Sequence, residues 1–89
     1  MVAFEFKPFT NESTAHGQLQ EWADYYHVNL NWKDVAVQTQ GVTECTSYPI
    51  IQGLHYHEFV GIGGTRKVSR VSAAKRIITC PGALDMAKP

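Results

Sequence analysis

The stretch GIGGTRKVSRVSAA, at residues 61–74, decides the fold class of this chain. Its glycines end a strand, and Thr65 offers a side-chain cap for a helix that runs to about Ile78. The Pro-Gly pair at 81–82 then stops the helix, because proline lacks the backbone donor that a helix needs. The first turns of this helix carry Arg66, Lys67 and Arg70.

This helix start has the chemistry of an anion site. Unpaired backbone N–H groups and the helix dipole attract a phosphate there. Arg66 and Arg70 share a helix face, with Lys67 beside them. On charge alone, the solvated basic face of an ordinary helix is an equally good interpretation. Nucleotide binding is excluded, since the last glycine of GxGxxG and its βαβ unit are missing and no GxxxxGK[ST] occurs.

Charge is spread unevenly along the 89 residues. Eight basic and eight acidic side chains give a net charge of zero, whereas a nucleic-acid-binding domain usually has a basic excess. The positive charge is nevertheless concentrated, because residues 66–76 hold five of the eight basic side chains and no Asp or Glu. These five are Arg66, Lys67, Arg70, Lys75 and Arg76.

The rest of the chain predicts one small α+β domain. Apolar residues at helical spacing follow a cap at Ser13 or Thr14 and predict an amphipathic helix of about three turns. Alternating and β-branched residues predict three strands, which short connections join as antiparallel hairpins. The predicted order is α-β-β-β-α, with two helices packed on one face of a three-stranded antiparallel sheet. The strands are expected over residues 32–40, 46–52 and 56–62.

The last-helix motif resembles that of the double-stranded RNA-binding domain family. That family's pattern is Gly-x-Gly-x-Ser/Thr, a Lys/Arg pair, one residue, Ala, then Lys, followed by Ala-Ala. The matching residues here are Gly61, Gly63, Thr65, Arg66, Lys67, Ser69, Arg70, Ala73 and Ala74, with Ser in place of Ala at position 69. The segment GQLQEWA at 17–23 is similar to the family's first helix, and Gly41 and Tyr48 fall where a loop glycine and a strand Phe are usual.

The resemblance covers residues 14–79 and implies a domain with an N-terminal extension at 1–13 and a C-terminal tail at 80–89. It also implies shape-selective, largely sequence-independent binding of double-stranded RNA, across two minor grooves and the phosphates between them. Neutralising about three phosphates would give a salt slope near −3. The candidate RNA-binding residues are Thr14, Gln20, Glu21, Thr65, Arg66, Lys67 and Arg70.

One segment departs from the family pattern. The loop between the first two strands usually reads Gly-Pro-x-His, but residues 41–44 read GVTE, so Glu44 stands in the place of the His. An acid near phosphates is repulsive. This departure and the zero net charge favour the alternative of a protein–protein interaction domain, either a homodimer or a complex with another partner. A hypothesised contact for that alternative is an outward-facing Val71 beside Val68 and Ile78.

Other functions find little support in the sequence. Cys45 and Cys80 are interpreted as free thiols, and the spacing of His55 and His57 matches no common zinc pattern. No catalytic arrangement of residues stands out, so we expect no enzyme activity, cofactor, metal or small-molecule substrate. No apolar run is long enough for a membrane span and the N-terminus does not resemble a secretory signal, so an intracellular protein, cytoplasmic or nuclear, is expected.

Overall fold

A computed structural model describes residues 4–85 of the chain. The order of elements confirms the predicted α-β-β-β-α arrangement, with the third strand in two pieces. The helices are α1 (Ala15–Tyr25) and α2 (Arg66–Thr79), and the strands are β1 (Leu30–Thr39), β2 (Val42–Ile51), β3 (Leu54–His55) and β4 (Gly61–Gly63).

β1 and β2 form a long antiparallel hairpin closed by a two-residue turn. Ten residue pairs join the strands, from Leu30 with Ile51 to Thr39 with Val42. The turn residues Gln40 and Gly41 have φ angles of +52° and +79°, the left-handed conformation that tight hairpin turns need. Every residue from 35 to 44 is exposed, so the end of the hairpin projects beyond the helices.

The predicted strand over residues 56–62 is wrong in its middle, where His57–Phe59 form a 3-10 turn. β3 and β4 both pair with the same edge of β2, on either side of this turn. Pro49 of β2 explains the break. Its carbonyl accepts a hydrogen bond from the Tyr56 N–H, but proline has no N–H to return to the third strand.

Both helices pack on one face of the sheet and share one core. Alternate residues of β2 are buried on this inner face, as strand geometry requires. α2 lies directly on β4, since Gly61 has no side chain to keep the two apart. A Cβ at Gly61 would overlap the backbone of Ser69 and Ala73. The largest fully buried aliphatic and aromatic side chains are Trp22 and Leu19 of α1, Ile51 of β2 and Ile77 of α2.

The segments flanking the helices pack against this core. Phe4, Phe6 and Phe9 of the N-terminal segment contact it, and Leu84 after α2 is buried. Gln18 on α1 is buried and accepts a hydrogen bond from the Lys7 N–H at 2.8 Å. The N-terminal segment is thus fixed to α1 by both apolar contact and a backbone hydrogen bond.

Candidate nucleic-acid interface

The start of α2 is built as the sequence predicts. The Thr65 side chain caps the helix by accepting a hydrogen bond from the Val68 N–H at 3.2 Å. Arg66 and Lys67 are exposed in the first turn, and 72% of the Arg66 side chain is accessible. Neither this turn nor the rest of α2 contains an acidic residue. Two exposed cations therefore flank the positive end of a helix dipole, where an anion can reach them.

Arg70 is placed differently, because it forms an ion pair with Asp34 of β1. Its Nε donates to Asp34 Oδ1 at 3.0 Å, and its Nη2 donates to Oδ2 of the same carboxylate. This two-pronged geometry is the strongest form of the Arg–carboxylate pair. Arg66 lies 3.8 Å from the same carboxylate but stays mostly in solvent. One of the three cations predicted to bind phosphate is thus already neutralised within the domain.

The Asp34 carboxylate accepts a hydrogen bond from Ser47, whose hydroxyl lies against that of Ser69. Ser47 Oγ donates to Asp34 Oδ1 at 2.7 Å and lies 2.6 Å from Ser69 Oγ. Ser69 Oγ in turn donates to the Arg66 carbonyl at 2.8 Å. The hydrogen bond from Arg70, together with that from Ser47, lowers the pKa of Asp34, and the carboxylate raises the pKa of Arg70. Asp34 therefore stays ionised and fixes both β1 and β2 to the start of α2.

Sequence reasoning missed Asp34, although a local signal was present. Asp34 lies between Trp32 and Ala36 in the row of β1 residues that point to the inner face. An acid that points toward the covered face of a sheet needs a cation or hydrogen-bond donors as partners. The identity of the cation was not readable, because Arg70 lies 36 residues away in sequence.

Trp32 and His16 connect the start of α1 to this cluster. The Arg70 guanidinium carbon lies 5.9 Å from the Trp32 ring centroid, and the His16 ring meets the Trp32 ring edge-on at 5.3 Å. Burial lowers the pKa of His16, and the positive charges of Arg70 and Lys67 lower it further, outweighing Asp34. The two helix starts therefore lie on one side of the molecule.

The candidate residues of α1 fall into two groups. Thr14 is the N-cap, and its side-chain oxygen accepts a hydrogen bond from the Gly17 N–H at 3.1 Å. Gln20 and Glu21 are exposed, and Gln20 Nε2 donates to Asp24 Oδ1 at 3.1 Å. The exposed surface of α1 carries acidic Glu21 and Asp24 but no Lys or Arg, so it offers hydrogen bonds rather than positive charge.

The expectation that Glu44 lies in a loop is wrong. Glu44 belongs to β2 and pairs with Val37 of β1. The tight turn at Gln40 and Gly41 replaces the longer loop, since both residues adopt the left-handed conformation. Glu44 alternates with the inward-facing Cys45, so it lies on the sheet face opposite the helices.

Among the described residues, the His and Cys candidates form no metal-binding group. Tyr48, His55 and His57 stack on the outer face, with the Tyr48 hydroxyl 2.8 Å from His55 Nδ1. Across residues 4–85, no three His, Cys, Asp or Glu side chains group to hold a metal ion, and both thiols are free. Within the same range, no helix is long and apolar enough to cross a membrane.

The three residues of the hypothesised contact on α2, Val68, Val71 and Ile78, do not form one exposed apolar surface. Val71 is half-buried and Ile78 packs against the core, so only Val68 of the three is exposed.

No family model matches the chain, and a search of curated proteins finds no significant match.

Proposed function

We propose that this domain binds double-stranded RNA by shape, without sequence preference and without chemistry on the RNA. The observation that carries the proposal is the start of α2, where exposed Arg66 and Lys67 flank a capped helix N-terminus whose own first turn contains no acidic residue. The dipole and the two side chains together form an electropositive point that suits a phosphate.

Each helix start contacts a different part of the RNA duplex. Arg66 and Lys67 meet phosphates beside the narrow major groove, which side chains cannot enter in A-form RNA. Exposed Gln20 and Glu21 of α1 meet 2′-hydroxyls and base edges in the adjoining shallow minor groove, with Thr14 at the start of the helix. Hydrogen bonds to 2′-hydroxyls give a preference for RNA over DNA.

This geometry supports weak binding. Asp34 neutralises Arg70, which leaves Lys67 and the mostly solvent-exposed Arg66, 3.8 Å from the same carboxylate, as the cations that reach phosphates. Two phosphates neutralised give a salt slope of about −1.8, shallower than the value near −3 expected from three cations. The acids of α1 oppose binding further through their repulsion of phosphates.

A duplex titration tests this proposal. Blunt RNA and DNA duplexes of about 20 base pairs, long enough for the family's span of about 16, are titrated at two salt concentrations. We expect tighter binding to RNA and a slope of about −1.8. The double variant Arg66→Ala/Lys67→Ala is expected to abolish most binding, while Lys7→Ala/Lys33→Ala, which removes two exposed cations outside the cluster, serves as the matched control. Equal binding to DNA, or an unaffected double variant, would overturn the proposal.

Protein–protein interaction is the second candidate function. For both candidate functions we propose an intracellular protein. The ion pair between Asp34 and Arg70 favours it, because it withdraws a cation that RNA binding would use.

A further inference from the structure

The sheet face opposite the helices, here called the open face, exposes aliphatic side chains from three strands. Val35, Thr46 and Ile62 lie side by side there on β1, β2 and β4. Val37 and Val42 continue the open face toward the hairpin turn. The accessible fractions are 45% for Val35, 53% for Val37, 67% for Val42 and 58% for Ile62.

This concentration of exposed aliphatic side chains is unusual within the molecule. Seven large apolar side chains are exposed among residues 4–85, and four of them belong to the open face. Both helices pack on the other side of the sheet, so no described element covers these four. Contiguous apolar patches with polar edges mark interaction surfaces.

The polar ends of the open face carry opposite charges. Lys33 lies at one end, level with Tyr48, and Glu44 lies at the other, level with Val37. The two levels are four residues apart, about 14 Å along the strands. Neither side chain forms an ion pair with another described residue.

We propose that the open face binds a second copy of this chain, face to face, about a two-fold axis through the row Val35–Thr46–Ile62. Such an axis reverses the strand direction, so the level of Lys33 in each copy faces the level of Glu44 in the other, while Val35 and Ile62 lie on the axis row and meet their own counterparts. The charge pattern is therefore self-complementary. This inference does not depend on RNA binding, and it leaves the helix starts on the outside of the dimer.

The size of the open face sets the expected affinity. Six residues along the strands and three strands across give about 20 Å by about 14 Å. That footprint is smaller than the ~800 Å² that each partner contributes to a standard interface. Interfaces of this size are typical of weak, transient complexes, so we expect a dissociation constant on the order of 100 µM.

Sedimentation velocity without RNA tests the proposal, over protein concentrations from roughly 10 µM to 1 mM, which bracket such an affinity. We expect the wild type to move from monomer to dimer. Val35→Glu, and independently Ile62→Glu, should weaken the dimer at least about tenfold by burying a charge at its centre. Leu54→Glu is the matched control, because Leu54 is 62% exposed but does not belong to the open face.

Charge reversal tests the two-fold arrangement itself. Lys33→Glu and Glu44→Lys should each weaken the dimer by placing like charges together, and the combination of both should restore it. A wild type that stays monomeric throughout overturns the proposal, as does a dimer that tolerates both Val35→Glu and Ile62→Glu. Single reversals that weaken the dimer without rescue in the combination overturn the axis. Thermal unfolding of every variant establishes that each is folded.

Discussion

The variant Asp34→Asn tests whether the Asp34 carboxylate competes with an RNA phosphate for Arg70. Asn keeps the size of the side chain and an oxygen that accepts from Ser47, while it removes the negative charge. The Arg70 side chain is 27% accessible, so the released guanidinium can turn toward solvent. We therefore expect the variant to bind duplex RNA more tightly than the wild type.

The size of the gain follows from counting phosphates. With Arg70 released, three cations instead of two meet phosphates, and the salt slope steepens from about −1.8 to about −2.7. One additional net contact of about 1 kcal/mol corresponds to roughly fivefold tighter binding at low salt.

The same replacement weakens the fold. Charge-assisted hydrogen bonds contribute about 1.5–3 kcal/mol, and partial solvent access of this pair lowers that range to roughly 1–2 kcal/mol. Urea unfolding should confirm that Asp34→Asn remains folded before the fluorescence anisotropy titrations with the duplex.

Two further variants assign the gain to Arg70. Glu58→Gln removes one exposed negative charge outside the helix starts and should leave the slope unchanged. Asp34→Asn combined with Arg70→Ala should return the slope to about −1.8, because the released cation is gone. A folded Asp34→Asn variant that binds RNA with unchanged or weaker affinity would refute the competition, and weaker binding would mean that Asp34 orients Arg70 for the ligand.

Three other changes have definite expected outcomes. Gly61→Ala should lower the free energy of unfolding in urea by roughly 2 kcal/mol, because the new Cβ meets the α2 backbone. Gly64→Ala, whose Cβ enters open space, should change the free energy of unfolding by less than about 0.5 kcal/mol. Equal effects of the two replacements would contradict this packing. The stability that Asp34 contributes should be fully present above its unfolded pKa of about 3.9 and be lost as the pH falls through its lowered folded pKa, so the wild type and Asp34→Asn should converge in acid. A stability difference that persists in strong acid would rule out the ion pair as its source. Glu44→His should leave RNA affinity within about twofold, since the side chain lies on the sheet face away from both helix starts; a gain of tenfold would place the hairpin at the RNA.

Local signals in the sequence were sufficient for both helices. Thr14 and Thr65 provide caps within one turn of the residues that they serve, and the apolar spacing that follows is independent of the rest of the chain. The fold class follows from these helices and the strand patterns between them.

The interrupted third strand depends on its neighbour and so escaped local reasoning. The residues from Tyr56 to Ile62 have ordinary strand composition, and the missing donor belongs to Pro49 on the adjacent strand. Until the register is known, the effect of Pro49 on another strand is not readable.

The tight hairpin turn was a different case. Gln40 and Gly41 form a compact two-residue turn. We expected the longer loop of the family that the sequence resembles, and therefore predicted Glu44 in that loop instead of in β2. The polar residue before glycine was a weak local signal for this turn.

The most direct test of the proposed function is to locate the RNA on the folded domain by NMR. Duplex RNA is added to labelled protein, and amide shift changes are followed along the chain. We predict changes concentrated at residues 65–70 and 14–21, with little change at Val37, Val42 and Glu44 on the open face. Changes centred on the open face, or none at saturating RNA, would contradict it.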